Sequence, residues 1–197
     1  MIPKGIGHIA KRLPESLEDG ENELPGMMRE LLGRLGEQLK ELDHQVGELE
    51  QQIKLWHREN EQSRKLEVIA GIGPITASAY VASVGDAKSF KNARQIPAWL
   101  GMVPRQDGTG GKATLGRISK RGDVYLRTLL IHGARAVIAQ FERKPDKPDA
   151  WLKQLLARRN KNIAAVALAA KNARIAWALL AHERNYQSDY IAKRAAA

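Results

Sequence analysis

The chain has 197 residues, a net charge of +10 and no cysteine, which excludes disulfides and thiolate metal sites and is compatible with a reducing cytosol. Hydrophobic residues make up 43% and aromatic residues 5%, enough for a core of Leu, Ile, Val and Ala in one domain or a domain plus an arm. The longest apolar stretch, from Ile163 to Ala170, is short of a membrane span, and the basic start MIPKGIGHIAKRLP lacks the apolar segment of a signal peptide.

Charge divides the chain. Residues 1–60 hold 8 basic and 12 acidic residues, and residues 61–197 hold 24 basic and 10 acidic. The second part therefore carries the electrostatic footprint of a nucleic-acid binder.

Residues 1–23 show no clear period and are expected to form a flexible lead-in. Residues 24–60 are expected to form a coiled-coil arm. Met28, Leu32, Leu35, Leu39, Leu42, Val46, Leu49, Ile53 and Trp56 alternate spacings of four and three, the heptad seam of a helix roughly 43 Å long. A narrow apolar stripe cannot bury itself alone. Self-association through residues 28–56 is expected, with an intrachain antiparallel hairpin as the alternative. Gly33, Gly36 and Gly47 weaken such a helix by up to about 1 kcal/mol each.

In LEVIAGIGPITASAYVASVG, residues 66–85, the run IAGIGP predicts a helix-hairpin-helix. Gly71 and Gly73 permit a sharp turn, and Pro74 suits the first turn of the next helix. Gly71, Gly73 and Thr76 at a helix N-terminus are candidates for binding DNA phosphate through backbone N–H groups. A plain turn between two helices is the alternative. A short helix and a turn ending at Pro104-Arg105 follow. Asp123 is expected to cap a helix from Val124 to about Gln140, with Leu126, Leu129, Leu130, Gly133 and Val137 on its buried face. A charged loop over 142–149, a short helix from Trp151 and an Ala-rich helix from Asn162 to Glu183 complete a helical domain over 61–185. Residues 186–197 are expected to fray. The expected fold is all-α, with no alternation long enough to demand a sheet.

The stretch GTGGKATLGRISKRGD, residues 108–123, carries the chemistry. It fails as a Walker loop. Aligned on Gly111-Lys112, the first glycine position holds Gln106 and the hydroxyl position holds Ala113. No histidines pair at metal-ligand spacing, and acids in the basic half are scattered singly, so no metal site is expected from this chain. What remains is the Thr109 hydroxyl among Arg105, Lys112, Arg117, Lys120, Arg121 and Arg127. Phosphodiester attack needs an activated nucleophile and cations that balance charge on the phosphate oxygens. A solvated loop that merely touches phosphate has the same composition.

Together IAGIGPITASAYVASVGDAKSFKNARQIPAWLGMVPRQ, GTGGK and LGRISKRGDVYLRTLLIHGARAV resemble the C-terminal domain of the insertion-sequence-110 transposases, in particular the insertion-sequence-1111 subgroup. The similarity runs over roughly residues 60–185, and the arm resembles the family's connector. The resemblance implies DNA strand exchange in transposition, in the bacterial cytoplasm at the nucleoid. It places the family's nucleophilic serine on Thr109, where Thr-Gly-Gly-Lys stands for Ser-Gly-Gly-Lys. It gives Arg105, Lys112, Lys120, Arg121 and Arg127 phosphate or charge-balancing roles and makes Ser119 a fallback hydroxyl. It further implies an acidic RuvC-like domain that binds Mg²⁺, for which these 197 residues hold no counterpart, and a structured guide RNA in related members. DNA and a second copy of the chain are the expected partners. A DNA-binding oligomer that inhibits a full transposase is the competing expectation, and a pure coiled-coil scaffold is a third.

Overall fold

A computed structural model describes residues 6–109, 112–143 and 149–187. The chain divides into two compact units, residues 1–52 and residues 53–197.

In the first unit, α1 (Ile6–Glu18) lies antiparallel to the early part of α2 (Gly26–Glu59). This corrects the expectation of an irregular lead-in. Ile9, Leu13 and Leu17 recur every four residues and give α1 one apolar face. That face persists although Pro14 sits inside the helix, where it removes one backbone hydrogen bond. Gly33 and Gly36 are where α1 approaches. A Cβ on Gly36 would stand 2.8 Å from Leu13 Cδ2, and one on Gly33 would stand 3.9 Å from Leu17 Cδ1. The connection is closed by Arg29, which donates to the Leu17 carbonyl at 2.7 Å and to the Asn22 carbonyl at 3.1 Å. Away from α1, Leu31, Leu35, Leu42, Val46 and Leu49 of α2 are 50–58% exposed.

The second unit begins with the last turns of α2. Asn60 caps α3 (Glu61–Glu67) by accepting from Ser63 N at 2.8 Å. A turn over residues 68–73 leads to α4 (Pro74–Val84), a 3-10 turn (Ala87–Ser89) and α5 (Gln95–Trp99). Then come β1 (Pro104–Thr109) and β2 (Lys112–Ile118), α6 (Val124–Arg143), α7 (Ala150–Arg158) and α8 (Lys161–Ala181).

Helix α8 is the centre of this unit and packs against α3, α5, α6 and α7. Its buried face is mostly alanine, from Ala164 and Ala165 through Ala169, Ala173 and Ala176, and small side chains let α6 come close. Three buried polar tips tie loops and helices to it. Tyr80 donates to the Ala173 carbonyl at 2.8 Å, Trp177 Nε1 donates to Ala87 O at 2.9 Å, and Asn172 Nδ2 donates to Ala70 O at 2.8 Å. By length and composition α8 could cross a membrane, with a mean hydropathy of 1.5 over 18 residues. The expectation that no segment reaches that length is corrected here, because polar Lys171, Asn172 and Arg174 interrupt the apolar run without offsetting it. In this fold 11 of its residues are buried in the bundle.

The architecture is thus mostly helical, but not all-α. The two-stranded antiparallel sheet of β1 and β2 falls on the glycine-rich stretch. It lacks the period-two apolar signal because both of its faces are polar or glycine at Gln106, Asp107, Gly108 and Thr109. The tail expected to fray lies, from residue 188 onward, outside the described residues.

Candidate nucleic-acid interface

The β-ribbon is rooted in the bundle at its base. Ser119 N donates to Val103 O at 2.8 Å and Lys120 N donates to Gly101 O at 2.9 Å, extending the pairing below the strands. Gly101 and Gly122 make this root possible. A Cβ on Gly101 would collide with the Arg121 backbone, and one on Gly122 with the Trp99 carbonyl. Two backbone segments therefore cross where no side chain fits.

Above the root, Pro104 pairs with Ile118, while Gln106 pairs with Leu115. Gly116 and Arg117 together oppose Arg105, a bulge with one extra residue in β2. The ladder then runs regularly to its last pair, Thr109 with Lys112. The residue carrying the candidate nucleophile thus stands at the far end of a short ribbon. The backbones of Thr109 and Lys112 are described, and their side chains lie outside the description, as do Gly110 and Gly111.

The sequence-predicted cations separate into two groups. Arg105, Arg117, Lys120 and Arg121 are exposed along the ribbon and its root. Lys120 holds a left-handed backbone, with φ 54°, which for a residue with a Cβ is strained. Arg127 is corrected. Only 7% exposed, it donates from its guanidinium to the Leu100 carbonyl at 3.0 Å, so it braces the segment leading into the ribbon. One turn of α6 after the Asp123 cap, its side chain falls back onto that segment. Asp123 caps α6 as expected, accepting from Leu126 N at 2.9 Å. Ser119 Oγ accepts from Arg121 N at 3.5 Å, which orients the root.

The candidate phosphate turn over 68–73 also divides. Gly73 is exposed and precedes α4 without a side-chain cap, with Pro74 at the first helical position. Thr76 is buried at 8% exposure, so its hydroxyl is withdrawn from the surface. Gly71, with φ 89°, faces α6. A Cβ there would stand 2.8 Å from Gly133 O and 3.0 Å from Val137 Cγ2. Its lack of a side chain serves packing.

Tyr125, Val124 and Leu115 are 60–64% exposed beside these cations, and sequence reasoning missed them. Positions 124 and 125 fall off the buried stripe of Leu126, Leu130, Ala134 and Ile138, and that displacement was the available signal. His57 bonds Ser63 Oγ at 2.7 Å through Nδ1 and Glu67 Oε2 at 3.0 Å through Nε2. This resembles a catalytic relay in composition only. Ser63 is fully buried, so the trio clasps α2 to α3.

Among the described residues no three His, Asp or Glu side chains converge on a metal position. The described residues do not fit a Mg²⁺ site.

Residues 63–149 match the family model described as Transposase IS116/IS110/IS902 family. A probable family 20 transposase of Pseudomonas aeruginosa is 54% identical over 83% of this chain and 48% of its own length. The transposase for insertion sequence element IS1111A of Coxiella burnetii is 48% identical over 69% of this chain and 37% of its own length. The transposase for insertion sequence element IS1328 of Yersinia enterocolitica is 41% identical over 89% and 52%. The chain spans about half the length of these relatives or less. The β-ribbon, its root and the turn over 68–73 all lie inside the matched segment, and residues 63–149 are a transposase domain of the IS116/IS110/IS902 family.

Proposed function

We propose that the chain is the DNA-binding and strand-exchange part of an insertion-sequence transposase, acting on DNA in the bacterial cytoplasm at the nucleoid. The observation that carries this reading is the backbone register that ends the rooted ribbon at Thr109 and Lys112, with Arg105, Arg117, Lys120 and Arg121 exposed beneath. In this reading the four exposed cations and Lys112 hold a DNA backbone along the ribbon. The N-terminus of α4 at Gly73 adds a phosphate contact, as a helix-hairpin-helix does. The Thr109 oxygen attacks the phosphorus of a DNA phosphodiester and gives up its proton, the P–O bond to one deoxyribose oxygen breaks, that oxygen takes up a proton and leaves as a DNA hydroxyl, and a protein–DNA phosphodiester forms. The number of phosphoester bonds is unchanged. Reversal by a second DNA hydroxyl therefore needs no nucleotide cofactor. The Mg²⁺ and the guide RNA implied by the resemblance belong, in this reading, with a RuvC-like domain, for which these 197 residues hold no counterpart.

The test is a denaturing gel of the protein incubated with labelled DNA carrying an insertion-sequence end, with a RuvC-like domain supplied from a related full-length transposase. Thr109→Ser is expected to keep the covalent adduct and Thr109→Val to abolish it. An adduct in Thr109→Val at an unchanged rate would overturn the assignment of the nucleophile.

The half-exposed Leu and Val seam of α2 favours a second reading, in which the chain binds DNA without cutting it and assembles with other transposase copies through a coiled coil over 28–56. Binding without an adduct, together with inhibition of a full-length transposase in mixtures, would select it.

A further inference from the structure

A groove of about 830 Å³ runs along α8, away from the β-ribbon in sequence and sharing none of its residues. Lys171, Arg174, Ile175 and Ala178 recur along one face of α8, and the segment 184–187 after that helix supplies the opposite wall with Arg184 and Tyr186. No acidic residue lines it among the described residues. Among the described residues no carboxylate forms an ion pair with Lys171, Arg174 or Arg184. Lys171 Nζ lies 4.2 Å from the centroid of the Trp151 ring, which holds an ammonium in place without removing its charge. Arg174 commits only its Nε proton to the chain, donating to Ala170 O at 3.2 Å. Tyr186 is 39% exposed, so part of its ring is open to a planar ligand.

We infer that this groove binds a single strand of unpaired DNA, with phosphates on Lys171, Arg174 and Arg184, a base stacked on Tyr186, and base edges over Ile175 and Ala178. The occupant must carry negative charge at intervals together with flat apolar surfaces. Unpaired DNA has both, and duplex DNA keeps its base faces inside the stack. Apolar floor, aromatic side chain and unneutralised cations together form the platform that single strands use. The site is separate from the ribbon. It goes beyond the proposed function and stands or falls without Thr109. During strand exchange it would hold a strand after its partner has been removed.

The full chain is titrated against fluorescein-labelled dT12 and against a 12-base-pair duplex by fluorescence anisotropy at fixed salt. The doubly substituted Arg174→Ala, Arg184→Ala protein is expected to weaken dT12 binding tenfold or more and to leave duplex binding within twofold. Tyr186→Ala is expected to weaken dT12 about fivefold or more, since stacking on one aromatic ring is worth roughly that or more, and Tyr186→Phe to stay within twofold. All three positions, Arg174, Arg184 and Tyr186, are exposed, and unchanged circular dichroism confirms the fold. Four results overturn the inference: dT12 affinity unchanged in the double variant, an equal loss for duplex and dT12, a Tyr186→Phe loss as large as that of Tyr186→Ala, or rU12 bound tenfold more tightly than dT12. Arg105→Ala with Arg117→Ala serves as the ribbon control. If that pair leaves duplex binding intact while the groove variants lose dT12, the ribbon reading fails and the groove stands.

Discussion

Gly71 and Gly133 meet backbone against backbone. A Cβ built on Gly133 would overlap the Gly71 carbonyl oxygen, and one on Gly71 would press on Gly133 O at 2.8 Å. The turn over 68–73 is held from the other side by Asn172, whose amide donates to Ala70 O at 2.8 Å. It is therefore clamped between α6 and α8, which fixes where α4 starts and where Gly73 is presented. Gly133→Ala separates this account from a simple helix-propensity effect. In an exposed helix interior, Gly→Ala stabilises by about 1 kcal/mol. At position 133 the extra methyl forces two backbones apart, and overpacking costs roughly 1–3 kcal/mol. A urea midpoint shifted downward is expected. An upward shift would show that the close approach is not required.

Arg127 and Arg121 are six residues apart and are predicted to fail in opposite ways. Removing Arg127 leaves the Leu100 carbonyl without its charged donor, at a cost of about 1.5–3 kcal/mol. Arg127→Ala should lower the melting temperature and also loosen DNA binding, through the root of the ribbon. Arg121→Ala, at an exposed position, should leave stability within about 0.5 kcal/mol and weaken DNA binding directly. Equal melting temperatures for the two variants would place Arg127 at the surface after all.

Salt supplies an independent measure of the ribbon. Four exposed cations that each neutralise one phosphate give a slope of log affinity against log salt of about −3 to −4. Duplex affinity should therefore fall roughly 100-fold between 50 and 200 mM salt. Arg105→Ala, Arg117→Ala and Arg121→Ala should each reduce the slope by about one. A slope near zero would remove phosphate contact as the basis of binding.

Helices α4, α6 and α8 were legible because each carries its own punctuation. Pro74 opens α4, Asp123 caps α6 at the expected residue, and Asn160 caps α8 by accepting from Ile163 N at 3.0 Å. The ribbon was not legible as strands. A ribbon paired only to itself, with no buried face, has no reason to alternate apolar and polar residues. Its position is set by Gly101 and Gly122, and their partners Arg121 and Trp99 are identifiable only in three dimensions. The burial of Arg127 was hidden for a related reason. A basic residue amid basic residues looks like part of a charged surface until the carbonyl it satisfies is found. Helix α1 was missed because Pro14 and the flanking glycines resemble breakers, whereas Ile9, Leu13 and Leu17 form the stripe that outweighs them.

Tyr80 links stability to alkaline pH. Burial pushes its phenol above the ordinary value of 10.0, and its hydroxyl donates to Ala173 O at 2.8 Å. The folded chain therefore keeps this proton where the unfolded chain loses it. The contribution is complete below pH 10 and declines above it, by about 1.4 kcal/mol per pH unit for one such group. Tyr80→Phe should cost about 0.5–1.5 kcal/mol near pH 8, the worth of the lost hydrogen bond. The gap between the two proteins should narrow between pH 10 and 11, because phenylalanine has no proton to lose. Parallel stability curves for the two proteins across that range would mean that Tyr80 reaches solvent.

The exposed seam of α2 yields the last prediction. Leu42, Val46 and Leu49 follow one another at spacings of four and three and are 50–58% exposed among the described residues. Each such side chain withdrawn from water stabilises an assembly by roughly 1.5–3 kcal/mol at full burial. A coiled-coil pair would gain that at every layer, counted on both chains. Gly33 and Gly36 do not contribute to this seam, because α1 lies against them. The free seam is therefore shorter than the heptad pattern alone implies and centres on residues 42–49. Sedimentation velocity of the Leu42→Glu, Leu49→Glu protein should show a monomer where the parent chain sediments as an oligomer. Leu13→Glu, on the covered side, should instead destabilise α1 and leave the oligomer in place. If Leu13→Glu dissociates the oligomer and the seam variant does not, the assembly runs through α1, and the heptad pattern of α2 serves only the packing within its own chain.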